Sequence, residues 1–191
     1  MEYPDDFTEP HDTRMIRKFG SREAFEAVKK SHGLIPRGIE AGLDASVGFT
    51  QDNLSRRVQS STLRSHRLVQ WVAREHGLTK SEELYAVLNR KHFTEAAVLN
   101  HIETLLDACE EVGLDRTASR TFLLSDQGTK EILDMYDKVI DMGINSIPTV
   151  LVNGKFVVSG AARADEYIHL FRKLLADGDT SGGTLFAPLP E

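Results

Sequence analysis

The stretch that most constrains this chain runs from Met142 to Ala176, MGINSIPTVLVNGKFVVSGAARADEYIHLFRKLLA. Pro148 stands directly before Thr149-Val150-Leu151-Val152, an aliphatic and β-branched run. Asn153-Gly154 follows, and then Lys155-Phe156-Val157-Val158. Asn-Gly between two apolar runs is the strongest short-range hairpin signal, because both central residues of a type I′ turn need positive φ. A proline does least harm to a ladder at the first residue of a strand, which is where Pro148 falls. After Ser159-Gly160 the period lengthens: Ala164, Ile168, Phe171 and Leu175 recur at helical spacing, with Tyr167 and Leu174 widening the stripe. The order is proline, strand, tight turn, strand, helix.

The chain ahead of this stretch reads as helices. Residues 1–11 form a polar lead-in with no period, and Asp12 is placed to cap a helix through Phe19 that presents Met15, Ile16 and Phe19 on one face. Gly20 ends it, and Ser21 caps the next, with Phe25 and Val28 as its apolar face. A break is expected between Gly33 and Pro36, then a short helix from Arg37 to Gly42 and an extended piece at Val47–Thr50. Helix resumes near Ser61 and closes at Gly77. Another spans Lys80–Phe93 with Leu84, Tyr85 and Leu88 inward, and a stripe of Leu99, Ile102, Leu105, Leu106, Cys109 and Val112 marks the next. Asp115 caps a helix through Leu124. Ser125 or Asp126 starts the last one before the hairpin, with Ile132, Tyr136, Val139 and Ile140 on one side and Gly143 past its end. Trp71 and the tyrosines fall on helical faces and read as core. Asp177–Glu191 reads as a mobile tail.

These residues resemble a family. Helix, Gly-Ile-x-x-Ile-Pro-Thr, strand, Asn-Gly, strand, Ser-Gly-Ala and helix is similar to the C-terminal half of a DsbA-type thioredoxin fold, nearest the branch of FrnE-like proteins and 2-hydroxychromene-2-carboxylate isomerases. Ser61-Thr62-Leu63-Arg64-Ser65-His66-Arg67-Leu68 resembles that branch's asparagine-threonine-leucine-x-alanine-histidine-arginine-leucine motif, with Ser61 in the asparagine position. The resemblance implies an α/β, mostly helical chain: a partial thioredoxin-like fold with a large helical insertion and a C-terminal β-hairpin plus helix. It places the insertion at residues 12–125 and the thioredoxin half at 126–176, between the lead-in and the tail at 177–191. It implies a cis bond before Pro148, a substrate surface at Ile147, Pro148 and Thr149, and a neighbouring role for His66. Glutathione is the ligand that the isomerase branch suggests. Ser159-Gly160-Ala161 either presents N–H groups to an anion at the start of the last helix or is a plain strand-to-helix turn.

The family's chemistry begins with strand, Cys-x-x-Cys at a helix N-terminus, and strand. The helix end lowers the first thiol's pKa, and the second cysteine resolves the mixed disulfide. Here the resemblance runs from about Glu9 to about Leu175 and contains no Cys-x-x-Cys. The sequence holds one cysteine, Cys109, on an apolar helical stripe beside Glu110 and Glu111. It reads as a small buried hydrophobe. The seven histidines lack ligand spacing, so no metal site is expected. A net charge of −6 with 27% charged residues argues against a general nucleic-acid surface, and no apolar run approaches a membrane span. One thiol and an acidic N-terminus without a signal-peptide core point to a reducing, cytoplasmic setting.

Two function classes follow. One is a relative of thiol-disulfide oxidoreductases that is inactive or truncated in this form; an in-frame Cys-Pro-x-Cys segment upstream of Met1 would mark a longer product. The other is a non-catalytic module that binds a thiol compound, a peptide or a protein, or an isomerase-like protein that uses glutathione. A lone hairpin is marginal in water, so its open edge invites a homodimer.

Overall fold

The computed structural model describes residues 6–32, 38–40, 50, 56–144, 147–153, 156–160 and 162–178. Its elements are β1 (Thr8–Pro10), α1 (His11–Phe19), α2 (Arg22–His32), β2 (Val58–Ser60), α3 (Leu63–His76), α4 (Leu78–Glu95), α5 (Ile102–Glu111), α6 (Arg116–Leu124), α7 (Thr129–Asp141), β3 (Thr149–Val152), β4 (Phe156–Ser159) and α8 (Ala164–Ala176). The chain divides into two compact units, residues 1–129 with 190–191, and residues 130–189. The expected helix at Arg37–Gly42, the extended piece at Val47–Thr50 and the tail lie largely outside the described residues.

The first unit is built on α3 to α6. Leu68 and Val72 of α3, Leu84 and Leu88 of α4, Leu105, Leu106 and Cys109 of α5, and Phe122 and Leu123 of α6 meet in one buried cluster. Each large side chain withdrawn from water contributes about 1.5–3 kcal/mol. Trp71 stacks on Phe122 with ring centroids 4.8 Å apart. Asp115 caps α6, its Oδ1 accepting from the Ala118 N–H at 2.7 Å, which satisfies one of the helix's orphan donors. Arg116 ties α6 to α5 through Glu103, Asp107 and Glu110.

Several expectations need correction here. Residues 8–10 are a strand: β1 pairs antiparallel with β2, Thr8 opposite Ser60 and Pro10 opposite Val58. Helix α1 starts at His11 after Pro10, and Asp12 sits inside its first turn. Pro10 fits this boundary because its fixed φ suits a strand end and its missing N–H is not needed there. Ser21 does cap α2, its Oγ accepting from the Ala24 N–H at 3.1 Å. Helix α7 begins at Thr129, later than Ser125 or Asp126, because Arg67 takes the carbonyls of Ser125 and Gln127 and holds that segment as a turn. Tyr85 is exposed, as are Tyr136 and Ile140 on α7, whereas Ile132 is buried.

The lead-in packs onto α4 around a buried arginine. Arg57 lies over the Phe93 ring at 5.1 Å, and its carbonyl accepts from the His11 N–H at 3.1 Å. Burial is the main cause that lowers the His11 pKa from its ordinary 6.5. The charge of Arg57 lowers it further, as do His92 and Lys29, and Asp12 opposes them. His92 is lowered chiefly by burial and also by Arg57, against its contact with the Ala97 carbonyl. Both rings therefore resist protonation more when folded than when unfolded. That stability is present in full above the ordinary value and is lost as pH falls below it toward the folded values. Urea midpoints are expected to drop between pH 7.5 and pH 5.5, and His11→Gln is expected to flatten that dependence.

The second unit holds α7, the antiparallel hairpin and α8. Thr149 pairs with Ser159, Val150 with Val158, Leu151 with Val157 and Val152 with Phe156. Asn153 has φ of 52°, the positive value that a tight Asn-Gly turn requires. In α8 Leu174 is buried, but Ile168 and Phe171 are each 48% exposed and Leu175 is 68% exposed. The apolar stripe of α8 is thus largely exposed.

Candidate functional site

The proline end of the hairpin gathers five of the six residues singled out from the sequence. The Ile147–Pro148 peptide bond is cis. Ile147 is 94% exposed, and Pro148 beside it is exposed as well. Thr149 opens β3 opposite Ser159, the last residue of β4, and the Gly160 N–H donates to the Pro148 carbonyl at 2.8 Å. Gly160 has φ of 86°, a backbone that side-chain-bearing residues rarely adopt, and this turns the chain from β4 toward α8. The carbonyl of Gly160 accepts from the Ala162 N–H at 3.0 Å.

The start of α8 is furnished with its own acids. Asp165 and Glu166 lie in the first turn, where the helix dipole favours negative charge, and Arg163 Nε donates to Asp165 Oδ1 at 3.0 Å. The Gly160 and Ala162 N–H groups are engaged within the turn.

His66, the sixth residue, is on α3 in the other unit. The residue is exposed, yet surrounding protein desolvates its ring enough to lower its pKa. Its neighbours in the motif are spent on packing. Ser61 is buried and its N–H donates to the Phe7 carbonyl at 3.2 Å. Arg64 Nη1 donates to the Asn100 carbonyl at 3.1 Å, and Ser65 Oγ donates to the Thr62 carbonyl at 2.9 Å. Arg67 is 3% exposed, with Nε donating to the Gln127 carbonyl at 2.8 Å and Nη2 to that of Ser125 at 2.5 Å.

The chain's thiol is elsewhere. Cys109 is fully buried on α5, and its pKa is raised. Burial is the main cause; the Ser119 hydrogen bond and Arg116 oppose it, and Glu110 adds a smaller push upward. The acidic neighbours noted in the sequence matter less than the lost water. Among the described residues no cluster of three or more His, Cys, Asp or Glu could hold a metal ion, and no helix is long and apolar enough to cross a membrane. Chemically, the hairpin end offers an exposed apolar side chain and strand backbone, with neither a sulfur nor a titratable group among Ile147, Pro148, Thr149, Ser159 and Gly160.

The sequence gives the α8 stripe as an apolar face, and its exposure is what the structure adds.

The family model for the DSBA-like thioredoxin domain matches residues 39–171. No curated protein matches the chain. Among solved structures, the "probable DsbA oxidoreductase SCO1869" from Streptomyces coelicolor aligns over 96% of this chain and 74% of its own length, with a TM-score of 0.73 and 24% identity. That likeness speaks to the fold, and the matched family region spans well over half of the sequence. The chain belongs to the DSBA-like thioredoxin domain family.

Proposed function

We propose that this chain is a relative of thiol-disulfide oxidoreductases that, in the form given by its sequence, does not catalyse dithiol exchange. The observation that carries this reading is the state of its one thiol. Exchange needs a thiolate that attacks a disulfide sulfur and a second thiol that resolves the mixed disulfide. Cys109 is the single cysteine and is fully buried in a helical core that keeps it protonated. The motif at Ser61–Leu68 supports placing the chain near the FrnE and 2-hydroxychromene-2-carboxylate isomerase branch, and a lone free thiol suits a reducing compartment such as the cytoplasm.

In an insulin-reduction assay with glutathione or dithiothreitol as reductant, the chain is expected to give the background rate, and Cys109→Ser to give the same rate. Turnover above background that Cys109→Ser abolishes would overturn the reading. Native Cys109 is also expected to react with a chromogenic disulfide at least ~100-fold more slowly than in denaturant.

A second reading is a binding module for a peptide or thiol compound. It is favoured by the exposure of Ile147 beside a strand edge, an arrangement that extended peptides use for added-strand pairing. The sites in play are Ile147, Pro148, Thr149, Ser159 and Gly160, with His66 a separate site for glutathione. Calorimetric titration with glutathione and with an extended cysteine-containing peptide tests it, and no heat from either would remove it.

A further inference from the structure

The exposed face of α8 has a regular seam. Ala164, Ile168, Phe171 and Leu175 follow a four-three-four spacing, which is the a/d rhythm of helices that pair side by side. All four are exposed, Leu175 at 68%. Charge along the helix is polarised as well. Asp165 and Glu166 lie in its first turn, and Arg172 and Lys173 lie near its end.

These two patterns are self-complementary in one orientation. When α8 lies antiparallel to a copy of itself across a two-fold axis near His169, Ala164 faces Leu175 of the second copy and Ile168 faces its Phe171. Small meets large at the ends of the seam, and β-branched meets aromatic in the middle. The same register sets Asp165, one position after Ala164 on the flank, against Arg172, one position after Phe171, and symmetry repeats the pair. Antiparallel alignment also brings each helix's positive end beside the other's negative end. Asp165 already contacts Arg163, but both groups are mostly solvated, 70% and 80% exposed, so exchanging that contact costs little.

We propose that α8 is a homodimerisation surface, closed by an antiparallel second copy of this chain through Ala164, Ile168, Phe171 and Leu175, with Asp165 and Arg172 setting the register.

Sedimentation equilibrium on the full chain from about 1 to about 100 µM is expected to move from one chain mass, 21.3 kDa, toward twice that value. Phe171→Glu is expected to raise the dimer dissociation constant about 100-fold, as removal of a central aromatic anchor does. Asp165→Arg and Arg172→Asp are each expected to weaken the dimer, and the double swap to restore it to within a few-fold of the original. All these side chains are exposed, so far-UV circular dichroism should be the same for every variant. A chain that stays monomeric throughout means that a different occupant covers this face, and it overturns the proposal. So does a dimer that is indifferent to Phe171→Glu, or one that the double swap fails to rescue.

Discussion

Replacing Arg67 by methionine is expected to destabilise the helical unit by about 3 kcal/mol, read as a lower urea midpoint with an unchanged slope. The guanidinium is buried at 3% exposure, donates to the carbonyls of Gln127 and Ser125, and lies 5.3 Å over the Phe122 ring. Methionine keeps the aliphatic stem's packing but leaves two carbonyls without their donor. Each abandoned acceptor that stays away from water costs about 1–3 kcal/mol. Arg67→Lys should recover only part of the loss, because an ammonium lacks the planar fork that reaches two carbonyls two residues apart. If methionine and lysine both proved neutral, the turn between α6 and α7 would have to be held by something other than this side chain.

Leu105→Ala is expected to cost about 3–4 kcal/mol, inside the range of about 2–5 kcal/mol for removing a fully buried leucine from a core that collapses only in part around the gap. Leu105 is 0% exposed, in a cluster with Leu68, Leu84, Leu106 and Phe122 that belongs to four different helices. Leu175→Ala supplies the contrast. The residue type and the change are the same, but the side chain is 68% exposed, so below the dimerisation range the cost should stay within about 0.5 kcal/mol. Chemical denaturation of both variants at low micromolar concentration checks the pair. Equal losses would mean that the α8 stripe is covered in the single chain.

The same contrast explains what the sequence could and could not disclose. The stripe that carries Leu105 and Cys109 was readable because a helix buried on one side repeats at 3.6 residues. The Asp115 cap was readable because a capping side chain acts three residues away. Identical periodicity in Ile168, Phe171 and Leu175 gave the helix but not its surroundings, since a period reports that a face is apolar and says nothing of what lies against it. The pairing of Thr8–Pro10 with Val58–Ser60 left no local trace: each strand is three residues long, too short to alternate, and one of them contains proline. The start of α7 was misplaced for a related reason. Ser125 and Asp126 are good caps in isolation, and the group that overrides them, Arg67, comes from 58 residues earlier. At the proline end of the hairpin, the placement of Thr149 opposite Ser159 and the turn at Gly160 followed from local turn chemistry. His66 is exposed on α3, while Ser61, Ser65 and Arg67 of the same motif are buried, a division that the motif alone does not reveal.

The two short strands near the beginning have a consequence for how the chain assembles. Their ladder can form only after roughly 50 intervening residues have been looped out, and three residues a side give little return for that closure. Helices α3 to α6 connect near neighbours and can condense without waiting for it. The Phe7 carbonyl then meets a scaffold already in place, accepting from Ser61 N–H at 3.2 Å and from Asn100 Nδ2 at 3.0 Å. The opening residues are thus expected to act as a late clasp, the last part of the helical unit to fasten and the first to let go, with their amides the first of that unit to exchange with deuterium.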